Sequence, residues 1–213
     1  MEFLEEKLAK YIEEHTDKEP LLLQKLNRET QLKVLMPRMI SGHFQGRVLS
    51  MLMKMIKPTR ILEIGTYTGY SALCMAEGLV ENGELVTIDI NAELEEMVQG
   101  FFDQTSFSKQ ITYKIGDAKK IIPTLEGMFD VVFIDADKEN YALYYDLIFD
   151  KLSVGGYMIA DNVLWSGKVV ADNIKIDKDT KALLDFNDKV QADERVENVL
   201  FPIRDGLLIA RKK

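Results

Sequence analysis

Asp135-Ala136-Asp137-Lys138 and Asp161-Asn162 are the residues best suited by type and spacing to do chemistry. Asp130 to Asp135 and Gly155 to Asp161 each read as a buried strand, because their apolar runs are short and bounded by turn residues. Ligands of an open α/β sheet bind beyond the carboxyl ends of its strands. If these two strands are neighbours, Asp135, Asp161 and Asn162 meet at one rim with three oxygen donors. Such a set, without Cys or His, suits a hard dication such as Mg²⁺ and leaves positions open for water or substrate. Zinc does not fit it. Lys138 stands three residues after Asp135, where its amine can reach a metal-bound ligand. The competing reading is two helix-capping aspartates beside a solvated lysine.

A second constellation lies upstream in Ile61-Leu62-Glu63-Ile64-Gly65-Thr66-Tyr67-Thr68-Gly69-Tyr70-Ser71. A short apolar strand breaks into a glycine turn, and Leu73, Ala76, Leu79 and Val80 then recur at helical spacing. Strand, glycine turn and helix form the nucleotide-binding unit of doubly wound folds. The spacing is Gly-x-x-x-Gly and lacks the third glycine of the dinucleotide fingerprint. Glu63 just before the turn is a poor neighbour for a phosphate. It suits a ligand that carries an ammonium or sulfonium, which tilts the reading from NAD toward S-adenosylmethionine. Asp89 ends the next strand, from which a carboxylate can take both ribose hydroxyls. Asp117 follows the third strand, near where an adenine amino group would lie. Helix capping competes for both aspartates.

The elements that must position these residues follow from periodicity. Residues 1–57 read as helical. Phe3, Leu4, Leu8, Tyr11 and Ile12 form one apolar face. Pro20 opens a second helix with Leu22, Leu23 and Leu26, and Met36-Pro37 interrupts it. Ser41 can cap a third helix that carries Phe44, Val48, Leu49, Leu52, Met53 and Ile56. Met36, Met39, Met51, Met53 and Met55 are expected to be adaptable packing. From residue 60 strands and helices alternate, with strands at 85–89 and 111–115 between the two constellations and a helix after the fourth strand whose buried stripe is Tyr141, Tyr144, Tyr145 and Ile148. A helix through Leu183, Phe186 and Val190 and a hairpin about Asp205-Gly206 close the chain.

At 213 residues, 46% hydrophobic and 29% charged, the chain reads as one globular domain, 1–213. Its net charge of −8, from 27 basic and 35 acidic residues, argues against a broad nucleic-acid surface. The single cysteine, Cys74, excludes a disulfide framework and is expected to be a packed thiol. No apolar run approaches a membrane span. The acidic opening does not read as a signal peptide, so a cytoplasmic protein with no membrane partner is expected.

With these motifs in place, the chain resembles the cation-dependent class I O-methyltransferases, the family of caffeoyl-CoA and catechol O-methyltransferases. The matching stretches are Leu62 to Ser71, Phe133 to Tyr141 and Ala160 to Lys168, and the similarity runs from about Met36 to the C-terminus. The glycine motif marks methyltransferases broadly; the other two are specific to this family. The resemblance implies a Rossmann-like α/β fold: a seven-stranded, mostly parallel sheet with an antiparallel last strand, helices on both faces and an N-terminal helical extension (1–57 before a 58–213 core). It implies that Glu63, Gly65, Thr66, Ser71, Asp89, Ala118 and Asp137 bind S-adenosylmethionine, with the backbone near Ser41 at its carboxylate end. Asp135, Asp161 and Asn162 would hold the cation, Mg²⁺ before Ca²⁺ or Mn²⁺, and Lys138 would be the base. It also implies a vicinal-diol aromatic substrate and a homodimer.

Ser166 follows Trp165 where plant caffeoyl-CoA enzymes carry a substrate-touching asparagine, so specificity for a CoA thioester does not carry over. Trp165 can cover an aromatic acceptor or simply pack. Arg38, His43, Arg47 and Arg204 are candidates to meet an anionic acceptor, or are solvated. Three rival functions remain: a tRNA 5-hydroxyuridine methyltransferase of the same fold, an NAD(P)-dependent oxidoreductase, and a non-catalytic S-adenosylmethionine-binding module.

Overall fold

The computed structural model describes residues 5–171 and 176–213. The chain forms two compact units, Glu5–Asp117 and Ala118–Lys213. The strands make one seven-stranded sheet of order β3-β2-β1-β4-β5-β7-β6, where β1 is Arg60–Ile64, β2 Glu84–Asp89, β3 Ile111–Ile115, β4 Phe129–Ile134, β5 Leu152–Asp161, β6 Val196–Phe201 and β7 Leu207–Lys212. β1, β2 and β3 pair in parallel, as do β4 and β5. β7 runs antiparallel to both β5 and β6, so the antiparallel last strand is as the resemblance implies. Ile61, Leu62, Ile64, Val131 to Ile134 and Met158 to Ala160 are buried, which is why these strands read as nearly unbroken apolar runs.

The N-terminal helices are α1 (Glu6–Glu14), α2 (Leu21–Lys33) and α3 (Gly42–Ile56). Phe3 and Leu4, expected on the face of α1, lie outside the described residues, as do residues 172–175. Over its described length α1 buries no residue: Leu8 and Tyr11 are exposed. The methionines expected to be packing divide sharply. Met53 is buried, whereas Met36, Met39, Met51 and Met55 are exposed, Met55 at 72%. A helical period identifies a face, but it does not supply a surface for that face to meet. Ser41 stands where expected, directly before α3, yet its side chain makes no capping bond.

In the first unit, α3 fixes α4 (Tyr70–Ala76), the helix that springs from the glycine turn. Glycines permit the approach: a Cβ on Gly46 would meet Cys74 Sγ at 2.7 Å, and one on Gly78 would meet the Met53 backbone at 2.4 Å. Beside them Glu77 collects a charge network. Arg47 donates to its two oxygens at 2.7 and 2.9 Å, Ser50 Oγ at 2.7 Å and Lys54 Nζ at 3.0 Å. Burial alone would raise the Glu77 carboxyl, but these donors outweigh it and hold it at about 2. Cys74 is a packed thiol as expected, and burial pushes it up to about 12.

A carboxyl depressed on folding stabilises the protein above its unfolded pKa and loses that contribution as pH falls through the folded value. Glu77 is therefore expected to make stability decline between pH 4.5 and about 2. Glu77→Gln should cost about 2–4 kcal/mol at neutral pH by stranding the Arg47 charge. It should also flatten the acid limb in urea titrations followed by circular dichroism.

Candidate active site

The first unit supplies a glycine turn organised by one buried carboxylate. Glu63 is fully enclosed near the end of β1. Its oxygens accept from Ser71 Oγ and Thr87 Oγ1, each at 2.5 Å. Thr66 Oγ1 shares a 2.5 Å bond with Thr87 Oγ1. Register explains the arrangement: Glu63 and Thr87 are paired positions on β1 and β2, so their side chains share a sheet face. Glu63 thus ties strand, turn and helix together. Gly65 (φ 102°) and Gly69 (φ 86°) take left-handed backbone, and Tyr67 (φ 50°) does so without being glycine. Asp89 holds Tyr67 there, because its carboxylate accepts the Tyr67 N–H at 2.6 Å as well as that of Asn91 at 2.8 Å. Two bonds leave further lone pairs on the Asp89 oxygens for a ligand hydroxyl. Ser41 is buried at the head of α3.

The second unit gathers the acids around Lys138. Ile134 of β4 is in register with Ala160 of β5, so Asp135 and Asp161 leave adjacent parallel strands at the same level. That adjacency is the condition on which the sequence reading depended. Lys138 opens a short 3₁₀ turn and is buried. Its Nζ donates to Tyr141 Oη at 2.5 Å, Asn162 Oδ1 at 3.0 Å and Asp135 Oδ1 at 3.1 Å. An ammonium has three N–H donors, and three acceptors stand here. Burial opposes the charge, but Tyr141, Asp135 and Asp161 outweigh it and raise the amine above the ordinary lysine range. The solvated-lysine alternative therefore fails. Asp161 is buried and accepts the Asn162 N–H at 2.7 Å, and Asn162 takes left-handed backbone (φ 60°). Asp137 points its carboxylate at Tyr144 Oη, at 2.6 Å, and at the Asn140 amide. Ala118 opens a short helix (Ala118–Ile121) and is buried.

Trp165 and Ser166 follow in left-handed backbone, at φ 48° and 53°. The final turn holds this loop. Asp205 accepts the Ser166 N–H on its carboxylate at 2.5 Å and the Leu164 N–H on its carbonyl at 2.9 Å. The Trp165 ring centroid is 5.8 Å from Lys138 Nζ. Three residues enter the site without having been read as functional. Tyr141 and Tyr144 carried a helical apolar stripe that hid their hydroxyls, and Asp205 was legible only as a hairpin residue. Two candidates for an anionic acceptor are otherwise engaged: Arg47 pairs with Glu77, and His43 Nε2 bonds the Asp17 carbonyl at 2.6 Å. Among the described residues no three His, Cys, Asp or Glu side chains form a metal cluster. The set at hand is two carboxylates and one amide.

A sheet of this order with a glycine turn after β1 defines a Rossmann-like methyltransferase fold, and solved structures agree. The SAH-bound methyltransferase PaMTH1 of Podospora anserina superposes with a TM-score of 0.89 at 29% identity, over 97% of this chain and 94% of that one. The O-methyltransferase TomG of Streptomyces achromogenes, in complex with SAM, gives 0.88 at 25% identity, over 97% and 96%. Caffeoyl-CoA O-methyltransferase 5 of Nicotiana tabacum is 33% identical over 206 residues, 92% of this chain and 85% of that protein. The O-methyltransferase family profile matches residues 13–213, and the chain belongs to that family. It is accordingly a transferase enzyme.

The Glu63 knot yields a stability test. Thr87→Val removes one donor from a buried carboxylate and strands the Thr66 hydroxyl. The expected cost is about 1–3 kcal/mol, read from the urea midpoint. An unchanged midpoint would show that Glu63 is satisfied without Thr87.

Proposed function

We propose that this enzyme moves a methyl group from S-adenosylmethionine to a hydroxyl of a catechol-like small molecule, with a divalent cation, Mg²⁺ first, bound by Asp135, Asp161 and Asn162. The observation that carries this reading is the buried Lys138 amine held between the ends of two adjacent strands by Asp135 and Asn162. The donor set fits a hard cation: two carboxylates and an amide oxygen, with no soft ligand. SAM and SAH in the solved relatives support the choice of donor. Asp89 takes the ribose hydroxyls, and Glu63 orders Thr66 and Ser71 about the methionine end near Ser41. Ala118 and Asp137 complete the cofactor set.

When bound, the cation supplies chelation of two vicinal hydroxyls and lowers the pKa of one. Lys138 takes the proton from that hydroxyl. For this it must first become a neutral amine, and the same acids that now raise its pKa are the cation's ligands. A dication held by Asp135 and Asp161 would draw on the acids that favour the ammonium and would repel it, so that Lys138 would release its proton to solvent and stand as the neutral amine. Tyr141 holds Nζ in place through this change, since its hydroxyl also donates to the Asp161 carbonyl at 3.0 Å. Trp165 covers the aromatic acceptor. Alignment of donor and acceptor provides much of the acceleration in such a displacement.

We further place the enzyme in the cytoplasm as a homodimer with small-molecule substrates. Among the described residues no helix is long and apolar enough to cross a membrane. The net charge of −8 disfavours the tRNA reading.

Lys138→Ala is expected to lower kcat with a catechol about 10²–10⁴-fold while the Kd for S-adenosylmethionine, measured by calorimetry, stays unchanged. Unaltered turnover would remove Lys138 from the mechanism. Chelator should abolish methylation of small catechols by the native enzyme, and Asp161→Ala should lose both activity and its response to Mg²⁺. Transfer to hydroxyuridine-containing tRNA alone, read by mass, would move the protein into RNA modification.

A further inference from the structure

Asn162 and Trp165 belong to a short segment whose backbone is costly to hold. Asn162, Trp165 and Ser166 are left-handed, at φ 60°, 48° and 53°, and none of them is glycine. Such residues persist only where their surroundings over-determine them. The final turn holds the N–H groups of the segment: Val163 N–H bonds the Gly206 carbonyl at 3.3 Å, and those of Leu164 and Ser166 bond Asp205. The carbonyls are held differently. Those of Asn162 and Leu164 accept within the segment, from Trp165 N–H at 3.1 Å and Gly167 N–H at 2.9 Å. The Val163 carbonyl instead accepts from outside it, from Asn187 Nδ2 at 3.0 Å. Val163 is fully enclosed, so bulk water does not stand in for that donor.

Asn187 lies on the helix Lys178–Ala192, 24 residues beyond Val163. This helix packs against both the turn Lys138–Asn140 and the segment Trp165–Val170. The residue before Asn187, Phe186, is fully buried and meets the Tyr141 ring edge-on, with centroids 5.4 Å apart. Tyr141 in turn accepts from Lys138 Nζ. Consecutive residues of one helix therefore brace the two halves of the site, Phe186 the Lys138 half and Asn187 the Asn162 half. Asn187 does so under a penalty. Its Oδ1 is buried with no hydrogen-bond partner among the described residues, and an unmet buried acceptor is unfavourable. Turning the amide over would set that oxygen against the Val163 carbonyl, so the direction of the donor is fixed. An apolar side chain of similar size would fill the position without the penalty. The Nδ2 bond is thus what this residue contributes.

We infer that Asn187 is a positioning residue for the cation and the acceptor, acting through the Val163 backbone on Asn162 and Trp165. The inference rests on the function proposed above. Asn187 and Asp205 grip the peptide between Val163 and Leu164 at its two ends, carbonyl and N–H. That grip sets where the Asn162 amide stands relative to Lys138, and where the Trp165 ring lies.

Trp165 is the only tryptophan of the chain, so its fluorescence reports on this segment without any ligand. In Asn187→Leu the emission should move to longer wavelength and acrylamide should quench it more. The Mg²⁺ concentration for half-maximal activity should rise about 10–100-fold, as when the partner of a metal ligand is lost. KM for a catechol should rise more than kcat falls. The Kd for S-adenosylmethionine should stay native, and the urea midpoint should change little, because the stranded oxygen leaves together with the donor. Asn187→Ala adds no bulk and should give the same pattern if the leucine variant does not fold. Asp188→Ala, at the exposed neighbouring position, should change none of these. Native emission with native Mg²⁺ dependence in a folded Asn187 variant would overturn the inference. So would a collapse of the urea midpoint in both variants together with lost cofactor affinity, which would make Asn187 structural only. A native enzyme indifferent to Mg²⁺ would refute the cation reading instead, and the Trp165 signal and the acceptor KM would still decide the role of Asn187.

Discussion

A buried ammonium cannot stand alone, and the second unit is built around that constraint. Lys138 is enclosed at the head of a short turn, where an unpaired charge would be prohibitive. Three acceptors reach it from three places in the chain: Asp135 at the end of β4, Asn162 just past β5, and Tyr141 on the helix that follows (Tyr141–Phe149). Asp135 and Asn162 meet there because β4 and β5 are in parallel register and end at nearly the same level. The left-handed backbone at Asn162 turns the chain sharply enough for both Asp161 and Asn162 to belong to the cluster. The same oxygen donors that neutralise an ammonium are those a hard cation prefers.

The first unit solves a related problem with opposite sign. Glu63 is an acid in the interior, and the hydroxyls of Ser71 and Thr87 bond its two oxygens. Ser71 lies on the helix after the turn and Thr87 on the neighbouring strand, so one buried carboxyl group locks three elements. Asp89 does for the strained Tyr67 what Glu63 does for the helix. The rigidity matters because a methyl transfer depends on distance and angle, and a loose turn would dissipate that alignment. The Glu77 network plays the supporting part at the C-terminal end of α4, where it ties the helix to α3.

Much of this was legible in the residue order. The two acid clusters, the glycine turn and the strand runs carry local signals: apolar stretches of strand length, glycines where φ is positive, acids at strand ends. The strand runs agree with the observed strands to within a few residues, and the chain ends with the expected antiparallel strand. Less visible were the hydroxyls. Tyr141 and Tyr144 read as an apolar stripe, and Thr87 as a β-former inside a strand. A hydroxyl on an apolar face shows its purpose only when its partner is known, and every partner here is distant in sequence. The exposed methionines failed for the complementary reason, since periodicity describes a helix and not what lies beside it.

The sequence by itself determined the alternation of strands and helices, the presence of acids at the strand ends and the family to which the chain belongs. It did so because those properties reside in short stretches whose backbone preference and side-chain chemistry are local. Only the tertiary structure decided that β4 and β5 are adjacent, that Lys138 is buried with three acceptors, and that Glu63 is sealed behind hydroxyls. Those facts depend on strand order and register, which bring residues far apart in the chain within hydrogen-bonding distance.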